Sequence, residues 1–195
     1  MLDWTSIDGM ILMRGEYFLV PSRLLLLSFT PFKDYEGVIH SGEGVFLVEP
    51  LGVKVSVFVP YGKHAEELSK LEGKYVEVII DPPYFEASGP VNAEAPSITP
   101  ETPASRYLLV GLFNIIEPEW GLFECGNLRF PIRGLVETQN GKNFFVGHDL
   151  RIEVPGWDEW PGSSKPVKIA WIKLRKVRLY GYLPKKSKGV RIWRS

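Results

Sequence analysis

The 195-residue chain has a single cysteine, Cys125, and three widely separated histidines, His40, His64 and His148. One thiol excludes an internal disulfide and suits a reducing compartment, and without a second cysteine no zinc-ligand spacing can be read. Long hydrophobic runs are also missing. The most apolar stretch, Leu24-Leu25-Leu26-Leu27, gives way at once to Ser28, Thr30 and Pro31, far short of the ~20 residues a membrane-spanning helix needs. No span is expected, and Asp3 and Asp8 ahead of any Lys or Arg argue against a secretory leader, so the expected location is cytoplasmic. Glycine-rich phosphate loops are absent too: Leu47 stands where a third glycine would follow Gly42-x-Gly44, and no Gly-Lys-Ser/Thr occurs.

Acid pairs offer no better start. Glu66-Glu67 fits the start of a helix and Asp158-Glu159 a polar loop between Trp157 and Trp160. The expectation is a non-enzyme with no catalytic residue, no metal and no cofactor.

What is present begins with charge. The 23 basic and 23 acidic residues balance, but eleven of the basic ones and none of the acidic ones fall in residues 165–195. The rest of the chain therefore holds 12 basic against 23 acidic residues. Such segregation bears on partners: a concentrated positive field attracts phosphate chains or acidic proteins.

The hydrophobic period is 2. Val53, Val55, Val57 and Val59 alternate with Lys54, Ser56 and Phe58; Val76, Val78 and Ile80 alternate with Tyr75, Glu77 and Ile79; Leu150, Ile152 and Val154 alternate with Arg151 and Glu153. The runs 44–48, 107–116, 120–124 and 128–133 add strands, the last confined to a sheet edge by Pro131, which cannot donate to a ladder. One short helix is predicted at 64–71, with Ala65, Leu68 and Leu71 on its apolar face. The fold class is all-β with one short helix.

Residues 82–103 hold six of the sixteen prolines, a linker or long-loop composition poor in apolar anchors. The expected organisation is a first β domain, 1–103, ending in this segment, and a second, 104–195, carrying the basic strand and tail. A weak echo between the halves makes them a tandem if it is a duplication.

The order strand 53–59, Pro60-Tyr61-Gly62-Lys63, short helix, Leu71-Glu72-Gly73-Lys74, strand 75–80 resembles the third strand, connecting helix and fourth strand of OB-fold domains. The resemblance implies a five-stranded Greek-key barrel plugged by the helix, one face of which commonly holds oligonucleotides. It would make 107–116 the fifth strand; the second half departs from the pattern at 137–142, where no helix is read, and is expected to be a second small β-barrel or β-sandwich unit.

Along residues 167–183 the apolar phase reverses twice, which predicts a long strand bent by bulges that passes from one sheet to another. Trp171 reads as inward-facing; Tyr180, Tyr182 and Trp193 have charged or glycine neighbours and read as surface rings. Cations tracking a backbone, with rings offering flat faces to bases, are the chemistry of single-strand nucleic-acid binding. The candidate contacts are Lys168, Lys173, Arg175, Lys176, Arg178, Tyr180, Tyr182, Lys185, Lys186, Lys188, Arg191 and Trp193. The functional expectation is thus single-stranded DNA or RNA binding. The alternative is a protein-interaction or assembly subunit, self-association included, whose acidic body and basic end dock on complementary partners.

Overall fold

The computed structural model describes residues 4–7, 10–13, 17–102, 105–154, 169–184 and 190–192, with the backbone alone for those at 4–18, 169 and 190–192. In chain order the elements are β1 (Trp4–Ile7), β2 (Met10–Met13), β3 (Tyr17–Leu19), β4 (Pro21–Lys33), β5 (Ile39–Val48), β6 (Val53–Val59), α1 (Gly62–Leu68), β7 (Tyr75–Ile80), β8 (Glu86–Ser88) and β9 (Ser97–Glu101). There follow β10 (Arg106–Glu117), β11 (Trp120–Cys125), β12 (Leu128–Arg133), β13 (Leu135–Gln139), β14 (Lys142–Gly147), β15 (Leu150–Glu153), β16 (Ile169–Val177), β17 (Leu179–Tyr182) and β18 (Val190–Ile192). The protein is mostly β, as the period of 2 predicts.

Five strands close into a barrel in the order β17-β6-β5-β4-β7. Neighbours run antiparallel except β6 and β17, which are parallel with Leu179 opposite Val57 and Tyr180 opposite Phe58. Alternation buries Val55, Val57 and Val59 with Leu24, Leu26, Phe46, Val48, Val78 and Ile80, and leaves Lys54, Ser56 and Phe58 on the outer side. Helix α1, between the third and fourth barrel strands, buries Ala65 and Leu68 in the same core. It runs from Gly62 to Leu68, so Glu66 and Glu67 lie past its first turn and Lys70 beyond its end, unlike the predicted span. Seven residues cannot hold a helix in water; burial of that face does.

The barrel's fifth strand is β17, which corrects the expectation that 107–116 would fill that place. The reason lies in burial. β10 is 12 residues long and buries Phe113, Asn114, Ile115 and Ile116 in succession, so it needs cover on both faces and sits inside a larger sheet. Everything between β7 and β17 is therefore inserted between two barrel strands.

The larger sheet has the order β12-β11-β10-β16-β8, with β9 also paired to β10, and Pro131 lies on its edge strand as expected. β9 occupies β10 over Arg106–Val110 and β11 takes over from Leu112. The proline-rich segment is thus tied into the sheet at two places. Phe85, Ala87 and Ile98 are its buried apolar anchors, where the composition had indicated few. A meander, β13-β14-β15, packs against this sheet, Phe145 meeting Phe113 at 5.2 Å between ring centroids. Its first turn is Asn140-Gly141, both with positive φ (52° and 73°), the backbone of a two-residue hairpin.

Barrel and insertion share one contiguous buried core running from Leu24 to Leu179. The hairpin tip between β11 and β12 docks on the barrel: Asn127 N–H donates to Glu49 O (2.8 Å), Glu49 N–H to Asn127 Oδ1 (2.9 Å) and Asn127 Nδ2 to Arg23 O (3.0 Å). Gly126, at φ +61°, permits this approach, since a Cβ there would lie 2.6 Å from Glu49 O. Ser56 N–H donates to the Tyr107 hydroxyl at 2.8 Å.

Candidate nucleic-acid interface

β16 leaves the larger sheet and β17 enters the barrel, the passage between sheets that the phase reversal predicted. Leu174 pairs with Leu109 and Val177 with Tyr107, so Arg175 and Lys176 together oppose Leu108 alone. This single bulge replaces the two expected reversals. Ala170, Ile172 and Leu174 are buried on one face before it, and Val177 and Leu179 after it. Trp171, expected inward, is half-buried on the face opposite Ile172 because the register runs unbroken from Ile169 to Leu174.

Lys176 stands in the left-handed region at φ +56°, a conformation that costs a non-glycine residue about 1–2 kcal/mol. Two carboxylates hold it. Its N–H donates to Glu101 Oε2 at 2.7 Å and its Nζ to Glu86 Oε1 at 2.7 Å, while Arg175 Nε lies 3.6 Å from Glu101 Oε1. The hydrogen bond between Lys176 and Glu86 holds the carboxyl below its ordinary pKa and raises that of the ammonium.

Beyond the bulge, Arg178 is exposed and carries no described acid within ion-pairing distance. Its guanidinium carbon lies 5.6 Å from the ring centroids of both Phe58 and Tyr180. Those rings meet edge to face at 5.1 Å and 68°, both half-buried on the barrel's outer wall. Phe58 was not among the sequence candidates. Its outward place in the Val53, Val55, Val57, Val59 alternation was the available signal, because an aromatic on the wet side of a strand is a surface feature. Glu43, opposite Phe58, borders the pair.

Tyr182 lies elsewhere. Expected at the surface, it is 8% exposed, covered by Tyr61 and His64 at 6.3 and 6.2 Å between ring centroids. His64 Nδ1 accepts the next residue's backbone bond, from Leu183 N–H at 3.1 Å. Helix α1 thus caps the end of β17, a tertiary cover that charged neighbours in sequence do not reveal. Lys173 is half-buried on the same side of β16 as Trp171. Lys168, Lys185, Lys186, Lys188 and Trp193 lie outside the described residues, as do Trp157, Asp158, Glu159 and Trp160; Arg191 has its backbone in β18, paired in parallel with Phe18.

A second surface feature is the arm formed by β4 and β5 beyond the barrel rim. Tyr35 is 95% exposed at its tip, with Phe32 and Val38 beside it. The tip is rigidly built: Asp34 Oδ1 accepts the N–H groups of Glu36 and Val38 at 2.9 Å, and Asp34 Oδ2 lies 2.7 Å from His40 Nε2. The His40 contact, first among these bonds, keeps the Asp34 carboxyl below its ordinary pKa.

Cys125 is buried with its Sγ near Val110 O and Ser97 O, and burial pushes the thiol up to about 12. Among the described residues no group of three or more His, Cys, Asp or Glu could hold a metal ion, and no helix is long and apolar enough to cross a membrane.

Fold and surface define a mainly β protein with a closed five-stranded barrel, compatible with an OB-like one, and a cationic-aromatic wall. Compared with known proteins, the chain matches no family model, no curated protein and no solved structure.

Proposed function

We propose that the protein is a non-enzymatic, cytoplasmic binder of single-stranded nucleic acid, and that bases meet it on the barrel wall where Phe58, Tyr180 and Arg178 come together. That cluster is the observation that carries the reading. Two rings backed by a guanidinium make a sequence-tolerant stacking platform, and each base stack contributes about 1–3 kcal/mol by truncation. Lys173 and Arg178, neither ion-paired to a described acid, supply positive charge along the same chain, and seven further cations besides Arg175 and Lys176 fall in the same stretch of sequence, 165–195. In OB-like barrels one wall and its neighbouring loops commonly contact oligonucleotides, which favours this use of the surface.

The test is a fluorescence-anisotropy titration of a labelled twelve-nucleotide single strand at several salt concentrations. Binding should weaken with salt by roughly −0.7 in log-log slope per phosphate contacted. Phe58→Ala and Tyr180→Ala should each weaken it by about 5- to 100-fold, whereas Tyr35→Ala should not. An absence of binding at low salt would overturn the proposal.

The exposed arm favours a second reading, a protein-interaction or assembly subunit. Tyr35 is an exposed aromatic ring on a hydrogen-bonded tip that carries Asp34 and Glu36, and acids repel phosphate while rings of this kind dominate protein contacts. Light scattering of the wild type and of Tyr35→Ser would test it through a loss of mass.

A further inference from the structure

The bulge at Arg175 and Lys176 sits between Lys173 and Arg178, so a strand of phosphates following β16 into β17 must pass it. At that point the cations already have anions. Lys176 Nζ is 2.7 Å from Glu86 Oε1 and Arg175 Nε 3.6 Å from Glu101 Oε1. The acids come from β8 and β9, two short strands of the proline-rich segment that reach the bulge from separate parts of the larger sheet.

Their exposure differs in a telling way. The Glu86 side chain is 38% exposed and that of Lys176 46%, whereas Glu101 is 18% exposed. Glu101 also accepts the Lys176 N–H, so it holds the bulge's backbone in place. Glu86 pairs with Arg175 in the strand register, but its carboxylate makes no such bond to the bulge's backbone; it meets Lys176 through the ammonium alone, and Tyr84 donates to it at 3.2 Å. A half-exposed ion pair is weak and exchanges readily, unlike a buried one.

We propose that Glu86 is a built-in competitor for the phosphate chain, occupying Lys176 until a stronger anion displaces it, while Glu101 is the fixed support of the bulge. The inference rests on the nucleic-acid reading and concerns regulation of that same surface. The ammonium changes partner from carboxylate to phosphate with no proton transferred, because Lys176 is protonated and Glu86 ionised throughout the neutral range. The bulge stays intact in the exchange, since its backbone bond is to the other acid. Affinity for a single strand is thereby held below what the cation count alone would give, and short ligands that reach only this point are disfavoured.

The experiment compares binding of the labelled twelve-nucleotide strand to wild type, Glu86→Gln and Glu67→Gln at 50 mM salt, with thermal unfolding to verify that each is folded. Glu67 is an exposed acid on α1 and reports the effect of removing one negative charge anywhere. Glu86→Gln should bind about two- to fivefold more tightly than Glu67→Gln, the range one exposed pair covers. Lys176→Gln should then cost more in the Glu86→Gln background than in the wild type. Equal affinities for Glu86→Gln and Glu67→Gln, with Tyr180→Ala still weakening the wild type, would overturn the competitor and leave the nucleic-acid reading standing. Binding by Glu86→Gln at 50 mM salt where the wild type binds only at 20 mM would support the competitor. Failure of both to bind at 20 mM salt would overturn the nucleic-acid reading and the competitor with it.

Discussion

Ser22 and Arg129, 107 residues apart, exchange hydrogen bonds through one hydroxyl: Ser22 Oγ donates to Arg129 O at 2.9 Å and accepts from Arg129 N–H at 3.0 Å. Arg129 Nε adds a bond to Pro21 O at 2.9 Å. Ser22 is fully buried, so this hydroxyl joins the barrel strand β4 to the larger sheet's edge strand β12 where water cannot substitute. Ser22→Ala should therefore lower stability by about 1–3 kcal/mol, the cost of buried backbone groups left unmatched. Urea unfolding would measure it as a shifted midpoint with an unchanged slope.

Barrel closure depends on four residues near the end of the described chain, Leu179–Tyr182. A chain ended after Arg178 would leave β6 and β7 with open edges and the inner valines without cover. Loss of cooperative thermal unfolding and aggregation of the truncated chain are the expected outcome, checked by calorimetry and light scattering.

His148 occupies the turn between β14 and β15, at φ +50°, its ring stacked on Phe85 at 4.6 Å. Desolvation of its partly covered ring pushes it below its ordinary value of 6.5, against the opposing charge of Asp149, although the residue as a whole is exposed. As pH falls through about 6.5 the unfolded chain takes up this proton before the folded one, so the contribution is intact above that pH and is lost below it. Melting temperature should decline between about pH 7 and pH 5, and His148→Asn, which tolerates the left-handed turn, should flatten that decline.

Gly141 follows Asn140 in the first two-residue turn of the meander, at φ +73°. Gly141→Val would force a β-branched residue into the left-handed region, with an expected loss of about 1–2 kcal/mol in denaturant unfolding. Gly141→Asn should cost less.

Some of this architecture is written locally. The valines 53, 55, 57 and 59 name their own faces, Pro131 names an edge, and the phase reversal near Arg175 names a bend. The partner of a strand is not local: nothing around Leu179 says that it pairs with Val57 across the whole insertion. β13 and β14 escaped because Glu137, Thr138, Gln139, Lys142 and Asn143 are polar and lack alternation, although Asn140-Gly141 between them is a strong hairpin signal. At the candidate site Arg178 and Tyr180 were legible as a cation beside a ring. Phe58 became a neighbour of both only through parallel pairing, and Tyr182 was withdrawn by the cover of Tyr61 and His64.

Synthesis imposes an order on this topology. Four barrel strands leave the ribosome together, but the one that completes the cylinder follows roughly 100 residues later, about 5 to 20 s at ordinary elongation speeds. During that interval the nascent four-stranded trough presents two raw rims and an oily lining to the cell. The intervening β unit can mature first and then deliver the last strand to its slot, which makes the insertion a courier for the barrel's completion.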